Sequence, residues 1–173
     1  MKLAQIRQRT AHNPHAIATQ KTATRTWLAS KAAEYPIALT LTLKQTITLH
    51  TQNGTYKRAI TRADCDVIAK HFINKLNVQV YGNAAKRSNK SLKYIVVVED
   101  GFGTKNLHLH LAIGAIPKHV KFNQIDALVK EAKTRVEEID VQHKVNVANS
   151  GWFEYITKEV SKHNTDNVLW QLA

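Results

Sequence analysis

The chain holds one cysteine, three prolines and six glycines in 173 residues. A single thiol excludes an intramolecular disulfide and a zinc cluster built on several thiolates. Cys65 reads as a buried, neutral residue of a reducing compartment. No run approaches the roughly 18 consecutive apolar residues of a transmembrane helix. The basic stretch from Met1 to Thr26 lacks the apolar core of a secretory signal. The expectation is therefore a cytoplasmic protein with no membrane partner. Acidic residues are also scarce: 13 Asp or Glu stand against 25 Lys or Arg, a net charge of +12. That balance, with a pI near 9.9, favours a polyanionic partner, and of the two polyanions it suits, nucleic acid comes ahead of an anionic membrane surface, leaving no membrane in the expected partner set. Disorder is excluded, since 43% of the residues are hydrophobic, with three Trp and four Phe among them.

Length predicts one domain with an extension. Residues 1–34 are polar and Ala/Thr-rich, carry Arg7, Arg9, Lys21, Arg25 and Lys31, and read as a basic N-terminal extension with helix around Thr24 to Glu34. Residues 35–173 form the core. In 37–43, Ile37, Leu39, Leu41 and Leu43 alternate with Ala38, Thr40 and Thr42, the period-two signature of a strand with one apolar face. Between Thr46 and Thr61, Asn53-Gly54 predicts the turn of a short hairpin. Thr61 followed by Asp64 resembles a helix N-cap, and Val67, Ile68, Phe72, Ile73 and Leu76 then recur at helical spacing over 62–77. Residues 82–91 read as a basic loop.

Strands follow at 92–99 and 106–113, an amphipathic helix at 121–138, a strand at 141–147 with Val141, Val145 and Val147 on its apolar face, and a helix at 152–162. Strand, helix, strand, strand, helix, strand is the order of the split βαβ, ferredoxin-like arrangement. The predicted fold is α+β: an antiparallel sheet with helices on one face and the active site on the other. Strand 92–99 is apolar on both faces up to Glu99, so its register is the least determined.

The sharpest local signal is Leu107-His108-Leu109-His110-Leu111. Two histidines at i and i+2 of a strand project from one face, so His108 and His110 can converge on one cation. Glu99 precedes His108 across a turn through Gly101 and Gly103, and an antiparallel return brings it to the pair. Two imidazoles and a carboxylate with open positions suit a divalent cation that must also touch substrate. Tyr155 and Lys158, three apart on the last predicted helix, share a face. A phenol is a poor nucleophile near neutral pH, with a free pKa of about 10, and a neighbouring ammonium favours the phenolate and can hold a phosphate.

The ordered set of Leu39-Thr40-Leu41-Thr42-Leu43, the acid before His108-Leu109-His110, and the late Tyr155-x-x-Lys158 resembles the HUH endonuclease superfamily. The branch it resembles is the single-tyrosine Rep initiators of rolling-circle replication in plasmids, phages and viruses. The resemblance spans about residues 37–162. It implies a site-specific nickase and ligase for single-stranded DNA, with His108, His110 and Glu99 as ligands of Mg²⁺ or Mn²⁺, Tyr155 as nucleophile and Lys158 as its electrostatic partner. The implied DNA is a replication origin, which can include a hairpin. Thr40, Thr42, Lys44, Lys86, Arg87, Lys90 and Lys105 would contact it, with Lys57, Arg58 and Lys93 nearby and Tyr56 or Phe102 stacking on bases. No Walker A loop is present, so helicase and polymerase would come from the host or another chain. Two alternatives stand beside this reading. A single-tyrosine HUH transposase would use the same chemistry, although those usually carry Gln after the Tyr where Lys158 stands here. A ferredoxin-like nucleic-acid-binding module would bind without cutting.

Overall fold

The computed structural model describes residues 14–99, 106–158 and 167–172. Helix α1 runs Pro14–Lys31 and ends in a short 3₁₀ turn, Ala32–Glu34. Strand β1 (Ile37–Leu43) follows, then the hairpin strands β2 (Thr46–Thr51) and β3 (Gly54–Ala59), and helix α2 (Arg62–Tyr81). A one-turn helix α3 (Asn83–Arg87), β4 (Lys93–Glu99), β5 (His108–Gly114), α4 (Phe122–Lys133), β6 (Ile139–Val147) and α5 (Ser150–Ile156) complete the order.

The main sheet has four strands in the order β4-β5-β1-β6, and every neighbouring pair is antiparallel. The fold is thus α+β, and its topology is compatible with the ferredoxin-like arrangement. The apolar alternation of β1 works as read: Leu39, Leu41 and Leu43 are fully buried beneath α2 and α4, among Phe72, Leu76, Ile125 and Val129. Asp64 caps α2 by accepting from the Thr61 backbone N–H at 2.8 Å, and a bidentate pair from Arg58 to the same carboxylate ties the hairpin to that cap.

The opposite face carries a second, smaller core. Leu28 of α1 and Phe153 and Ile156 of α5 pack there on Ile95, Val97 and Ala112. This explains why β4 is apolar on both sides: Tyr94, Val96 and Val98 face the large core, Ile95 and Val97 the small one.

Several boundaries differ from the sequence expectation. Helix α2 continues to Tyr81, because Val80 adds another buried turn and Asn77 is held by the Leu92 N–H and the Tyr94 hydroxyl. Gly82, at φ +54, then breaks the helix. Part of the expected basic loop is therefore helix α3. In the hairpin the turn pair is Gln52-Asn53, one residue earlier than read, since Thr51 pairs with Gly54. Helix α4 ends at Lys133, yet Val136 beyond it is still buried. Strand β6 begins two residues early, and its apolar face is not Val141 and Val147, which are 82% and 63% exposed. A register shift against β1 between Leu41 and Leu43 turns Val141 outward, as a bulge on an edge strand does. The last helix runs Ser150–Ile156, so Lys158, expected on it, lies in the turn just beyond its end; residues 159–162 of the expected span lie outside the described residues.

Candidate active site

The site forms on the face with the smaller core, where β5, β1 and β4 present a row of polar side chains. Glu99 is the register partner of His108, and His110 lies opposite Thr40. One ligand atom from each of Glu99, His108 and His110 lies within 4.8 Å of the others, so the group could hold a metal ion. Burial is graded across the three: His110 is 3% exposed, and His108 and Glu99 are half-buried.

Glu99 is the hub. Its Oε2 lies 2.6 Å from His110 Nε2 and accepts from the Tyr155 hydroxyl at 3.3 Å. Its Oε1 pairs with Lys158 Nζ at 2.6 Å. Burial pushes the Glu99 carboxyl up, but the bonds from Lys158 and His110 and the charge they carry prevail and hold it at about 2. Burial pushes His110 and His108 down against the pull of Glu99. The downward shift favours the neutral imidazole, the form that ligates a metal. Lys158 loses to burial and gains more from Glu99 and Tyr155, so its ammonium is strengthened.

Thr40 orients His110. Its Oγ1 lies 3.1 Å from Nδ1, which leaves Nε2 as the atom turned toward Glu99. A hydroxyl on the far ring nitrogen fixes the face a histidine offers to a metal. The donor set, two imidazoles and one carboxylate, with Thr40 behind His110 and with Lys158 and Tyr155 on Glu99, fits a divalent cation. The sequence offers Thr40 as a DNA contact; the structure engages its hydroxyl with His110.

Tyr155 is presented by α5, whose N-cap is Asn149 accepting from the Trp152 N–H at 2.9 Å. Phe153 and Ile156 anchor the helix in the small core while Tyr155 stays 43% exposed. The phenol ring stands edge-on to His110, centroids 5.4 Å apart, and stacks on Trp152 at 5.8 Å. Lys158 Nζ sits 3.9 Å from the Tyr155 ring centroid. From the far side, Arg25 of α1 donates to Thr157 Oγ1 at 3.2 Å.

Of the expected DNA contacts, Thr42 is the register partner of His108, and Lys44 follows at that same end of β1. Lys86, Arg87 and Lys90 gather near the start of β4. Strand β4 separates them from Glu99 by roughly 20 Å at strand rise, so the fold does not bring them to the site. Lys93 pairs with Glu34 at 2.9 Å, and Arg58 is committed to Asp64. Tyr56 is exposed on the hairpin. Lys105 and Phe102 lie outside the described residues.

A pocket of about 710 Å³ opens beside Tyr155 and reaches from His108 and His110 to Lys144 and Asn146 of β6. In the sequence, Lys144 and Asn146 stand only as residues of the polar face of strand 141–147. The signal that could have found them is their period-two alignment with Thr40 and Ala38, which needs the β1–β6 register to be seen. No family model, curated protein or solved structure matches the chain.

Proposed function

We propose that this protein is a metal-dependent nickase and ligase of single-stranded DNA that initiates rolling-circle replication through a phosphotyrosine intermediate. The observation that supports this best is the convergence on Glu99 of His110, Lys158 and the Tyr155 hydroxyl, with His108 beside them. A nucleophile, a cation-binding trio and an ammonium within one hydrogen-bonded group are what phosphodiester transfer requires. A divalent cation held by His108, His110 and Glu99, Mg²⁺ or Mn²⁺ by the Rep resemblance, would neutralise charge building on the non-bridging phosphate oxygens.

Glu99 aims the Tyr155 oxygen by accepting its hydrogen bond, and Trp152 holds the ring by stacking. The Tyr155 oxygen attacks phosphorus, the 3′ oxygen departs and takes a proton, and the 5′ phosphate stays on Tyr155. The phenolic proton is lost to solvent or to the DNA. Lys158, beside the attacking oxygen, stabilises negative charge on the phenol and on the phosphate. Attack by a 3′ hydroxyl on the phosphotyrosine reverses the step without ATP, because the diester bond energy is kept. Origin DNA, a host helicase and a polymerase are the partners this reading calls for.

Incubating the full chain with a pool of single-stranded DNA and Mn²⁺ tests the proposal. A protein–DNA adduct that survives denaturation is expected. Binding with no adduct would leave a ferredoxin-like binding module in its place.

A further inference from the structure

The pocket beside Tyr155 extends well past the groups that would act on a phosphodiester. In register across the sheet, His110, Thr40 and Lys144 make one row, and Ala112, Ala38 and Asn146 make the next. The first row runs from a candidate ligand to an ammonium. The second is small until it reaches the Asn146 amide, and Ala38 on the pocket floor takes up little of the space there. Trp152 forms an aromatic wall, and Val147 supplies an exposed apolar rim. Neither the Lys144 ammonium nor the Asn146 side-chain amide makes a hydrogen bond or ion pair to another described residue, although both backbones pair with β1. A cation, an amide and a flat ring around a pocket of about 710 Å³ match the three chemistries of a nucleotide: phosphate, base edge and base face.

We propose that Lys144 and Asn146 form a nucleotide subsite that selects the base next to the bond Tyr155 attacks. This rests on the reading of the site as acting on single-stranded DNA. Lys144 takes a backbone phosphate, which positions the strand without reading it. Asn146 reads the base edge, and Trp152 covers its face. An amide pairs bidentately with adenine through one donor and one acceptor, so adenine is the base expected there.

The test is a binding selection from a randomised single-stranded DNA library with the full chain carrying Tyr155→Phe, so that chemistry does not distort the result. The background protein should prefer adenine at one position by roughly 5- to 150-fold. Adding Asn146→Ala should flatten that position alone. Adding Lys144→Ala should keep the preference, weaken all sequences alike and make the salt slope shallower by about 0.7. An unchanged preference with Asn146→Ala overturns the subsite, even if the unmodified protein forms its adduct. A preference that Asn146→Ala removes, in a protein that forms no adduct, upholds base reading by Asn146 but refutes the nuclease and with it the subsite's place beside a cleaved bond. A protein that selects no sequence refutes the subsite outright.

Discussion

The two faces of the sheet are built from the same strands and do opposite things with them. Beneath α2 and α4, β1 and β5 contribute Leu39, Leu41, Leu109 and Leu111, all fully buried in one continuous apolar cluster. On the other face, residues one step away are Thr40, His108 and His110, and the apolar contacts shrink to a small cluster closed by Leu28, Phe153 and Ile156. There the sheet stabilises the fold less and holds charge instead. A half-buried carboxylate, a buried imidazole and an ammonium can lie together only because each partners another. Stability and chemistry are divided between faces by the two-residue period of a strand.

The sharpest way to break that comparison is to change one residue on each face. His108→Ala should lower Mn²⁺ affinity by more than the roughly 10–100-fold that outer-shell changes cost and abolish the adduct. It should barely alter the urea midpoint, since His108 is half-buried. Phe72→Ala should cost about 3–5 kcal/mol and leave Mn²⁺ affinity of the folded protein unchanged, as titration by paramagnetic resonance would read. His110→Ala belongs to both classes. From sequence, both imidazoles point away from the core and their removal costs little; the structure buries His110 against Trp152 and Tyr155, so this change should lose metal and stability together.

Leu28→Ala tests the smaller core. The side chain is fully buried, and truncation should cost about 2–5 kcal/mol in urea unfolding. Unlike Phe72→Ala it should also slow adduct formation in protein that remains folded, because Leu28 packs with Phe153 and Ile156, which hold the helix of Tyr155. Equal adduct rates in the two variants would show that α1 does not position the nucleophile.

The legible parts of the sequence were those where one periodicity acted alone. The alternation of β1 and β5 locates the sheet, the spacing of His108 and His110 puts both rings on one face, and Glu99 is legible because it ends the strand that pairs antiparallel with the histidine strand. Legibility failed where two demands overlapped. Strand β4 serves two cores, so its alternation is erased. Helix α1 buries Leu28 while Trp27 beside it is 40% exposed, too little contrast to mark a packed helix. Along β6 the register shift reverses the exposure that alternation predicts for Val141. The orienting bond from Thr40 to His110 and the alignment of Lys144 with both could not be read without strand pairing, since neither involves neighbours in sequence.

Thr40→Val sharpens the account of the site face. It keeps the shape and removes the oxygen facing His110 Nδ1. Metal affinity should fall by about 10–100-fold, with the fold retained by circular dichroism. An unchanged affinity would mean that packing by Trp152 and Tyr155 alone sets the ring.

The smallest effect belongs to the Arg58–Asp64 pair, away from both cores. The Arg58 guanidinium holds the Asp64 carboxyl well below the usual carboxylate range, against burial and with help from Thr61. A depressed folded pKa contributes stability above the unfolded value of about 4 and loses it as pH falls below that. Asp64→Asn should therefore cost roughly 0.2–1 kcal/mol at neutral pH and shrink the loss of stability as pH falls below about 4. Parallel acid titrations of the two proteins would show it.

Peptide mapping of the covalent adduct by mass spectrometry tests the central claim most directly. After reaction with single-stranded DNA and Mn²⁺, a 5′-phosphonucleotide on Tyr155, absent from Tyr155→Phe, is the predicted result. A nucleotide on Tyr35, Tyr56, Tyr81 or Tyr94, or an adduct that persists in Tyr155→Phe, would contradict it.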